Sequence, residues 1–383
     1  MHSIAIYIHW PFCKSKCPYC DFNSHTYTDI SFIDWQRSYL QEIDYFRDLL
    51  SSKIIKSIYF GGGTPSLMPP AILGAILNKL SSISKFDDDI EITIEANPTS
   101  SDAAKFLEFR STGINRISIG VQSLKANELQ FLGRNHSVYE AIKAINFARK
   151  AFDRLSFDLI YALPNQTLAD LKYNLNYAFD LDVDHISLYQ LTIEANTKFY
   201  HMYQRQEFVL PDNTLAGDMY DMVNQCTADH GYRRYEISNY AKINQESRHN
   251  MCYWNYDEYL GLGPGAHSRI LDKNVNQLYA MHMIYSPQGW LNSVHDNQHG
   301  IKDKTFLLNK EIFTEIMMMG LRTKRGVSNS KVLMYLGKNT LDLLEKTKLD
   351  NLRDAALLTY NDEYVKLTDA GLNLHNHILQ LLI

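Results

Sequence analysis

Three of the five cysteines in this chain lie close together near its start. Cys13, Cys17 and Cys20 form a C-x3-C-x2-C array, which follows an apolar stretch at Ile4–Ile8 and Pro11. Three thiolates on one short loop can converge on a site for a soft metal. A structural zinc site needs four ligands in paired spacing, and no second pair follows nearby. An iron–sulfur cluster on three cysteines would leave one iron open to a further ligand.

The elements that must position this loop alternate between strand-like and helical patterns at roughly 30-residue spacing, which is typical of parallel strands with helical crossovers. Strands are predicted at Ile4–Ile8, Ser57–Phe60, Ile90–Ala96, Arg116–Gly120, Leu155–Leu159 and His185–Leu191. Helices are predicted at Phe32–Leu50, Ala71–Ser82, Ser101–Ser111, Val138–Lys150 and Leu168–Asp180. Six units fall short of the eight in a closed barrel, so the expected α/β fold is a partial (β/α)6 barrel. An open doubly wound sheet has the same order of elements and is the alternative.

Polar residues and glycines follow the ends of several predicted strands. Gly61–Ser66 follows the second strand, Glu95 ends the third, Gln122 follows the fourth, and Asp158 lies near the end of the fifth. In a parallel barrel these positions open onto one face, where the active sites of such barrels lie. The glycines let backbone amides approach a ligand closely. Asp158 has apolar neighbours and needs a polar partner if it is buried.

The length and the changes in pattern along the chain suggest one large domain followed by smaller units. We expect residues 1–230 to form the barrel, residues 231–308 to extend it, and residues 309–383 to form a small C-terminal domain. A short strand is predicted at Tyr235–Tyr240. The C-terminal segment contains a helical run at Lys310–Leu321 and a strand at Tyr364–Leu367 that enters a capped helix, as in a helix–wing fold.

Charge and cysteine content restrict the partners and the compartment. The formal net charge is −5, which argues against sequence-independent binding of nucleic acid. Five cysteines among 383 residues do not make a disulfide scaffold, and clustered thiols require a reducing compartment. The start of the chain has no cationic leader before an apolar run, and no uninterrupted membrane-spanning segment is visible. We therefore expect a cytoplasmic protein without a transmembrane segment.

The cysteine array, with Tyr19 directly before Cys20, resembles that of the radical S-adenosylmethionine (SAM) superfamily. In that superfamily the amino and carboxylate groups of SAM chelate the open iron of a [4Fe-4S] cluster, and the reduced cluster can cleave the sulfonium. The segments YFGGGTPSLM, IEANP, RISIGVQS, LGRNHS, SFDLIYALPNQT, ISLYQLTIE and YEISNYA resemble the oxygen-independent coproporphyrinogen III oxidase group. That resemblance runs from Tyr7 to His267 and implies the partial barrel with a small C-terminal domain.

The same resemblance implies which residues bind the cluster and SAM. Cys13, Cys17 and Cys20 match the cluster ligands. A larger set matches cofactor-contact positions: Tyr7, Tyr19, Gly62, Gly63, Thr64, Glu95, Gln122, Arg134 and Asp158. In this reading the glycine strand meets the methionyl amino group, and Arg134 pairs with the cofactor carboxylate through both of its terminal nitrogens.

Two features separate the branches of the group. The oxidase has a further cysteine two places after the third cluster ligand, where this chain has Phe22. The segment HNMCYW contains His249, Asn250, Tyr253 and Trp254 in an H-N-x-x-Y-W motif. Both features are similar to the heme-chaperone branch, whose members are held to bind heme and to pass it to acceptor hemoproteins. A histidine can ligate heme iron, and aromatic rings can flank a porphyrin.

The resemblance therefore predicts a heme chaperone that binds a [4Fe-4S] cluster, SAM and heme, with the four motif residues in contact with heme. The acceptor hemoproteins would include respiratory enzymes, and both a homodimer and peripheral contact with a membrane are compatible with the sequence. The alternative is an enzyme of porphyrin biosynthesis that decarboxylates coproporphyrinogen oxidatively, and the sequence leaves open whether the chain is an enzyme. A zinc-binding structural module is a third interpretation, but it does not account for the glycine strand.

Overall fold

The fold is described by a computed structural model for residues 2–26, 29–99, 103–272 and 274–383. The strands, numbered β1 to β17 in chain order, are His2–Trp10, Phe12–Cys13, His25–Thr26, Lys53–Gly62, Lys85–Ala96, Arg116–Gln122, Arg154–Tyr161, His185–Gln190, Arg233–Arg234, Asn239–Ala241, Tyr259–Leu262, His267–Asp272, Gln277–Met283, Ile301–Phe306, Val327–Ser328, Leu358–Tyr360 and Tyr364–Leu367.

The described α-helices, numbered α1 to α17 in the same way, alternate with the first strands and dominate the C-terminal part. They are Phe32–Tyr45, Arg47–Ser51, Pro70–Ile83, Phe106–Ser111, Ala126–Phe131, Val138–Ala151, Leu168–Asp180, Lys198–Gln204, Asn213–Asp229, Arg248–Trp254, Pro287–Asn297, Asn309–Gly320, Asn329–Leu336, Thr340–Leu343, Lys346–Asp354, Asp369–Asn373 and His375–Leu382. A short 3₁₀ helix at Pro65–Leu67 follows β4.

Six parallel strands form the centre of one large mixed sheet. Its order is β14-β13-β12-β11-β1-β4-β5-β6-β7-β8-β10-β9, and β1 and β4 to β8 are the six strands predicted from the sequence. Within this block the order in space follows the order in the chain, without the reversal that defines a doubly wound sheet. The partial barrel is therefore confirmed, and the doubly wound alternative is wrong.

Alternation along the strands explains how the barrel wall forms. In β1 the side chains of Ile4, Ile6 and Ile8 are completely buried in the main apolar core. Tyr7 and His9 lie on the other face of the strand, where their side chains hydrogen-bond to each other. The barrel is thus apolar where the strands meet the helices and polar along its inner face.

Two helices of the barrel begin at capping boxes that the sequence encodes. Ser137 opens α6 with Glu140, and Thr167 opens α7 with Asp170, so each side chain satisfies a backbone N–H of the other. One predicted helix, Phe32–Leu50, is instead two helices, because the backbone at Phe46 departs from helical geometry (φ −90°, ψ 13°). The predicted helix start at Ser101 lies outside the described residues.

Beyond β8 the sheet continues through strands that the sequence patterns did not reveal. The strand β11 adds a further parallel neighbour to β1, and β12 to β14 follow as antiparallel strands. The single strand predicted at Tyr235–Tyr240 is wrong. The chain forms the short strands β9 and β10 instead, because the Glu236 carboxylate accepts bonds from the Ser238 N–H and Asn239 Nδ2 and turns the backbone between them.

The C-terminal segment forms its own three-stranded sheet, in the order β15-β17-β16, with a separate apolar cluster. The strand predicted at Tyr364–Leu367 is confirmed, and Thr368 caps the helix that follows it by accepting from the Gly371 N–H. The division at residues 230 and 308 stays a prediction. Across the part of the chain that the structure describes, no helix combines the length and apolarity needed to cross a membrane.

The barrel core generates the first prediction. The Phe157 side chain on β7 is completely buried, whereas Phe22 is 60% exposed. We expect Phe157→Ala to lower the free energy of unfolding by about 3–5 kcal/mol, because it leaves a cavity in a packed core. Phe22→Ala should change it by less than about 0.5 kcal/mol. Urea denaturation followed by circular dichroism measures both, and equal losses would contradict the packing described.

Candidate functional site

The three cysteines lie on one loop at the carboxyl end of β1. Each thiol is free, and each sulfur has a polar neighbour: Thr64 Oγ1 donates to Cys13 Sγ (3.3 Å), Arg134 Nη1 donates to Cys17 Sγ (3.2 Å), and Cys20 Sγ lies 3.7 Å from Ser24 Oγ. Burial raises the pKa of the Cys13 thiol, and the bond from Thr64 opposes that effect. Thiolates are the form in which cysteines bind metals.

All three cysteines line one cavity of about 600 Å³ at the carboxyl face of the barrel. Eight of the nine residues predicted to contact the cofactor line the same cavity: Tyr19, Gly62, Gly63, Thr64, Glu95, Gln122, Arg134 and Asp158. Across the described ranges, no group of three or more His, Cys, Asp or Glu side chains is arranged to hold a single metal ion. In a [4Fe-4S] cluster each thiolate binds a different iron, so its ligands need not meet at one point.

Tyr7, the ninth residue, lies deeper in the barrel. Its hydroxyl is 3.1 Å from His9 Nδ1, and its ring stacks on Tyr59 with 6.3 Å between the centroids. Tyr7 is therefore beneath the cavity rather than on its wall, and a contact with the cofactor stays a prediction.

The end of β4 approaches the cysteine loop so closely that side chains are excluded. A Cβ on Gly62 would lie 2.8 Å from the Trp10 carbonyl oxygen, and Gly62 has a φ of +114°. A Cβ on Gly63 would lie 2.8 Å from the Phe12 carbonyl oxygen and 3.0 Å from Cys13 Sγ. Only glycine fits at these two positions, which leaves backbone groups facing the cavity.

Two carboxylates face the cavity from neighbouring parts of the rim. Burial is the main cause that raises the pKa of Glu95 to about 7; the nearby Asp158 carboxylate acts in the same direction, and a 2.7 Å bond donated by Tyr59 opposes both. Burial likewise raises the pKa of Asp158 to about 6, against the opposing effect of a bond from Ser187. Buried carboxyl groups with these pKa values favour a cationic ligand that lets them ionise.

Arg134 links the rim to the cysteine loop. Its Nη2 donates to Asn97 Oδ1 (2.7 Å) and to the Gly120 carbonyl oxygen (2.8 Å), while Nη1 donates to Cys17. Its Nε is buried, without a hydrogen-bond partner in the portion of the chain described. The terminal nitrogens thus have protein partners, so the predicted bidentate pairing with a ligand carboxylate would have to replace them.

Some residues of the cavity wall were not singled out from the sequence. Asn97 bonds Arg134, and Ser118, Tyr189 and Ser238 line the cavity with it. Asn97 follows the strand end at Glu95, so strand counting could have found it. Ser238 could not have been found in this way, because it lies in the turn that replaces the strand predicted at Tyr235–Tyr240.

The H-N-x-x-Y-W motif lies at the opposite end of the barrel. It forms α10, where the His249 and Arg248 N–H groups donate to the buried Glu91 carboxylate of β5. The His249 side chain is opposite Ser57, five residues before Gly62 on β4, which is about 16 Å along the strand. The structure therefore does not bring the motif together with the cysteines.

Within the motif His249 is a buried residue with both ring nitrogens engaged. Its Nδ1 lies 2.9 Å from Ser57 Oγ and its Nε2 lies 2.7 Å from Tyr253 OH. Burial lowers the pKa of His249 to about 3. The Trp254 ring lies under the Arg322 guanidinium at 5.0 Å, and the Asn250 N–H donates to Ser247 Oγ in the first turn of α10.

A parallel partial barrel with a three-cysteine loop and a glycine strand at its carboxyl face defines a protein of the radical SAM type. Residues 7–178 match the radical SAM superfamily, and residues 307–374 match the HemN C-terminal domain. The heme chaperone HemW of Haemophilus influenzae is 40% identical over 273 residues, which cover 70% of this chain and 70% of that protein.

The similarity to other relatives extends over nearly the whole chain. The heme chaperone HemW of Escherichia coli is 32% identical over 385 residues, covering 99% of this chain and 98% of that protein. Radical S-adenosyl methionine domain-containing protein 1, mitochondrial, of Danio rerio is 32% identical and covers 99% of this chain. The chain belongs to the HemW family of the radical SAM superfamily.

A solved structure shows the same fold. Coproporphyrinogen III oxidase (HemN) from Escherichia coli superposes with a TM-score of 0.82, covering 99% of this chain and 89% of that chain. Its sequence identity is 19%, so the likeness concerns the architecture of barrel and C-terminal segment.

The cysteine loop generates the second prediction. We expect Cys13→Ala, Cys17→Ala or Cys20→Ala to abolish the iron and acid-labile sulfide of the anaerobically reconstituted protein, because each variant removes one of three thiolates. Cys226→Ala is the matched control, since Cys226 is a half-buried free cysteine on α9, away from the loop. Iron and sulfide analysis would contradict the assignment if the control lost as much as the loop variants.

The pKa of Glu95 generates the third prediction. SAM carries positive charge, so its affinity should fall as pH drops through about 7 and Glu95 becomes protonated. Between about pH 8 and about pH 6 we expect a loss of up to roughly tenfold, measured by anaerobic calorimetry. Glu95→Gln should bind more weakly and with a flatter pH profile, whereas the exposed Glu363→Gln should retain the profile. A Glu95→Gln profile as steep as that of the unaltered protein would refute this role.

Proposed function

We propose that this protein is a heme chaperone, which binds a [4Fe-4S] cluster on Cys13, Cys17 and Cys20, binds SAM beside it, and transfers heme to acceptor hemoproteins. The observation that carries the proposal is the similarity to proteins named heme chaperone HemW along up to 99% of the chain. Phe22 at the position of the additional oxidase cysteine supports the same choice.

The cavity at the carboxyl face suits both cofactors. Three free thiols supply the cluster ligands, and the absence of side chains at Gly62 and Gly63 lets the end of β4 pack directly against the cysteine loop. The buried Nε of Arg134 and the carboxyl groups of Glu95 and Asp158 offer polar partners for the amino-acid part of SAM. When bound, a reduced cluster and SAM supply reductive cleavage of a sulfonium bond.

The alternative, oxygen-independent coproporphyrinogen III oxidase, rests on the shared fold. The oxidase HemN is 19% identical to this chain, well below the 32–40% of the HemW proteins. Phe22 lines the cysteine cavity and is 60% exposed. It occupies the position at which the oxidase has its additional cysteine. We therefore favour heme transfer over oxidative decarboxylation.

We keep the four residues of the H-N-x-x-Y-W motif as the predicted heme contacts, but His249 can reach heme iron only if α10 moves. His249 has a protein partner on each ring nitrogen, and its side chain is only 1% exposed. Ligation of heme iron by His249 thus requires α10, with Asn250, Tyr253 and Trp254, to leave the end of the barrel. For the compartment we propose the cytoplasm, because five free cysteines suit reducing conditions.

The fourth prediction separates the two functions. Anaerobically reconstituted protein should take up hemin in a saturable titration followed by visible absorbance, and then deliver it to an added apo-hemoprotein such as apomyoglobin. The parallel assay supplies coproporphyrinogen, SAM and a reductant and measures protoporphyrinogen. Robust protoporphyrinogen formation, or failure of hemin to bind, would contradict the chaperone proposal. Bovine serum albumin loaded with hemin serves as the control for non-specific release.

A further inference from the structure

One tyrosine of the inner barrel face, Tyr59 on β4, contacts both the rim of the cysteine cavity and the helix α10. Its hydroxyl donates a 2.7 Å hydrogen bond to Glu95 Oε1, and Glu95 lines the cavity. Its ring stacks on the His249 ring, with 5.0 Å between the centroids and 27° between the planes. A single side chain thus joins a carboxyl group that faces the cavity to the histidine of the H-N-x-x-Y-W motif.

A second aromatic ring supports Tyr59 from the neighbouring strand. The Tyr7 ring on β1 stacks on Tyr59, with 6.3 Å between the centroids and 21° between the planes. The centroid of the same Tyr7 ring lies 6.5 Å from that of His249. The three rings therefore form one aromatic group, and Tyr59 is held in it by the stack and by the bond to Glu95.

The helix α10 has a closed position, which we define by the contacts of the buried His249 side chain. In this position His249 Nδ1 lies 2.9 Å from Ser57 Oγ, and the His249 ring stacks on Tyr59. Both contacts are lost when α10 leaves the barrel. Any ligand that holds the Tyr59 ring more firmly beneath His249 therefore favours the closed position.

The backbone anchor of α10 is built so that the helix can leave. The Glu91 carboxylate accepts the N–H groups of Arg248 (3.2 Å) and His249 (3.0 Å) at the start of the helix. Glu91 is also paired with Arg154, and Arg116 Nε lies 3.8 Å from it. Departure of α10 thus leaves the buried carboxylate with cationic partners, which avoids the large cost of an unpaired buried charge.

A cationic ligand in the cavity strengthens the bond between Tyr59 and Glu95. Burial raises the pKa of Glu95 to about 7, Asp158 acts in the same direction and Arg116 opposes it, so the group is partly protonated at neutral pH. The ammonium group of bound SAM favours the carboxylate form. A hydrogen bond to a carboxylate is shorter and stronger than one to a neutral carboxyl group. Bound SAM would thus fix the Tyr59 ring against His249.

We propose that Tyr59 is a positioning residue that couples the two sites, so that SAM in the cysteine cavity stabilises the closed position of α10 and weakens ligation of heme by His249. By linkage, heme at His249 weakens SAM binding by the same factor. The inference rests on the proposed function, whose SAM and heme contacts it uses, and it adds the way in which one ligand regulates the other.

The thiol of Cys252 on α10 reports opening of the helix without any heme. Its side chain is 3% exposed, so its reaction with iodoacetamide requires α10 to move away from the barrel. The anaerobically reconstituted full chain is labelled near neutral pH with and without saturating SAM, in the absence of a reductant, and the labelled cysteines are identified by peptide mass spectrometry. We expect SAM to slow labelling of Cys252 by about threefold or more, since hydrogen bonds to charged groups contribute more than neutral ones. The half-buried Cys226 on α9 is the internal control, and its rate should not change.

Two variants test whether Tyr59 carries the coupling. Tyr59→Phe keeps the ring but removes the hydroxyl, so SAM should no longer slow the labelling of Cys252. The matched control, Tyr232→Phe, removes a buried hydroxyl that bonds the Val183 carbonyl oxygen (2.6 Å), and it should retain the full effect. Glu95→Gln removes the charge but keeps the tyrosine, and it should also lose most of the effect. Calorimetry establishes saturation with SAM for each variant.

The outcomes separate this inference from the proposed function. Equal labelling of Cys252 with and without SAM in the unaltered chain would overturn the inference, as would full protection by SAM in folded Tyr59→Phe. If circular dichroism shows that Tyr59→Phe is unfolded, full protection in Glu95→Gln has the same meaning. A parallel hemin titration should show binding weakened by SAM by a similar factor, and an affinity independent of SAM would also overturn the inference. Absence of saturable hemin binding would overturn the proposed function, whereas protection of Cys252 by SAM would persist.

Discussion

The close packing of the cysteine loop on the end of β4 is the constraint on which the site depends. Gly63 N–H donates to the Trp10 carbonyl oxygen (2.7 Å) and Thr64 N–H donates to the Phe12 carbonyl oxygen (2.8 Å). These bonds continue the β1–β4 register into the loop and fix Cys13 directly over Gly63. The first cysteine is therefore positioned by these backbone bonds together with the bond that the Thr64 hydroxyl donates to its sulfur.

The inner face of the barrel connects its two ends through few side chains. Tyr59 on β4 stacks on the His249 ring, with 5.0 Å between the centroids, and its hydroxyl donates to Glu95 on the rim of the cysteine cavity. Glu91 precedes Glu95 by four residues on β5, and its carboxylate accepts a hydrogen bond from the His249 backbone N–H. The helix that carries the H-N-x-x-Y-W motif is therefore linked through Tyr59 to the rim of the cysteine cavity, although the two lie at opposite ends of the barrel.

The parts of the fold that follow simple periodicity were predictable, and the parts fixed by long-range contacts were not. The six parallel strands repeat with apolar alternation, and the rim residues follow from where those strands end. The strands β11 to β14 contain Tyr, His, Asp and Lys and pair mainly with one another, so local pattern carries little signal. Burial of His249 depends on Ser57 and Glu91, which are more than 150 residues away in the chain.

The loop after the third cysteine shows why one architecture can serve different chemistries. Asn23 is buried and anchored to Pro264 and Tyr285, whereas its neighbour Phe22 is mostly exposed. The backbone at position 22 is thus fixed by its neighbour rather than by its own side chain. A cysteine and a phenylalanine can both occupy this position without altering the loop, since neither is needed to hold it. The residue at position 22 can therefore distinguish branches that share the barrel, which is why a common fold does not by itself assign the function.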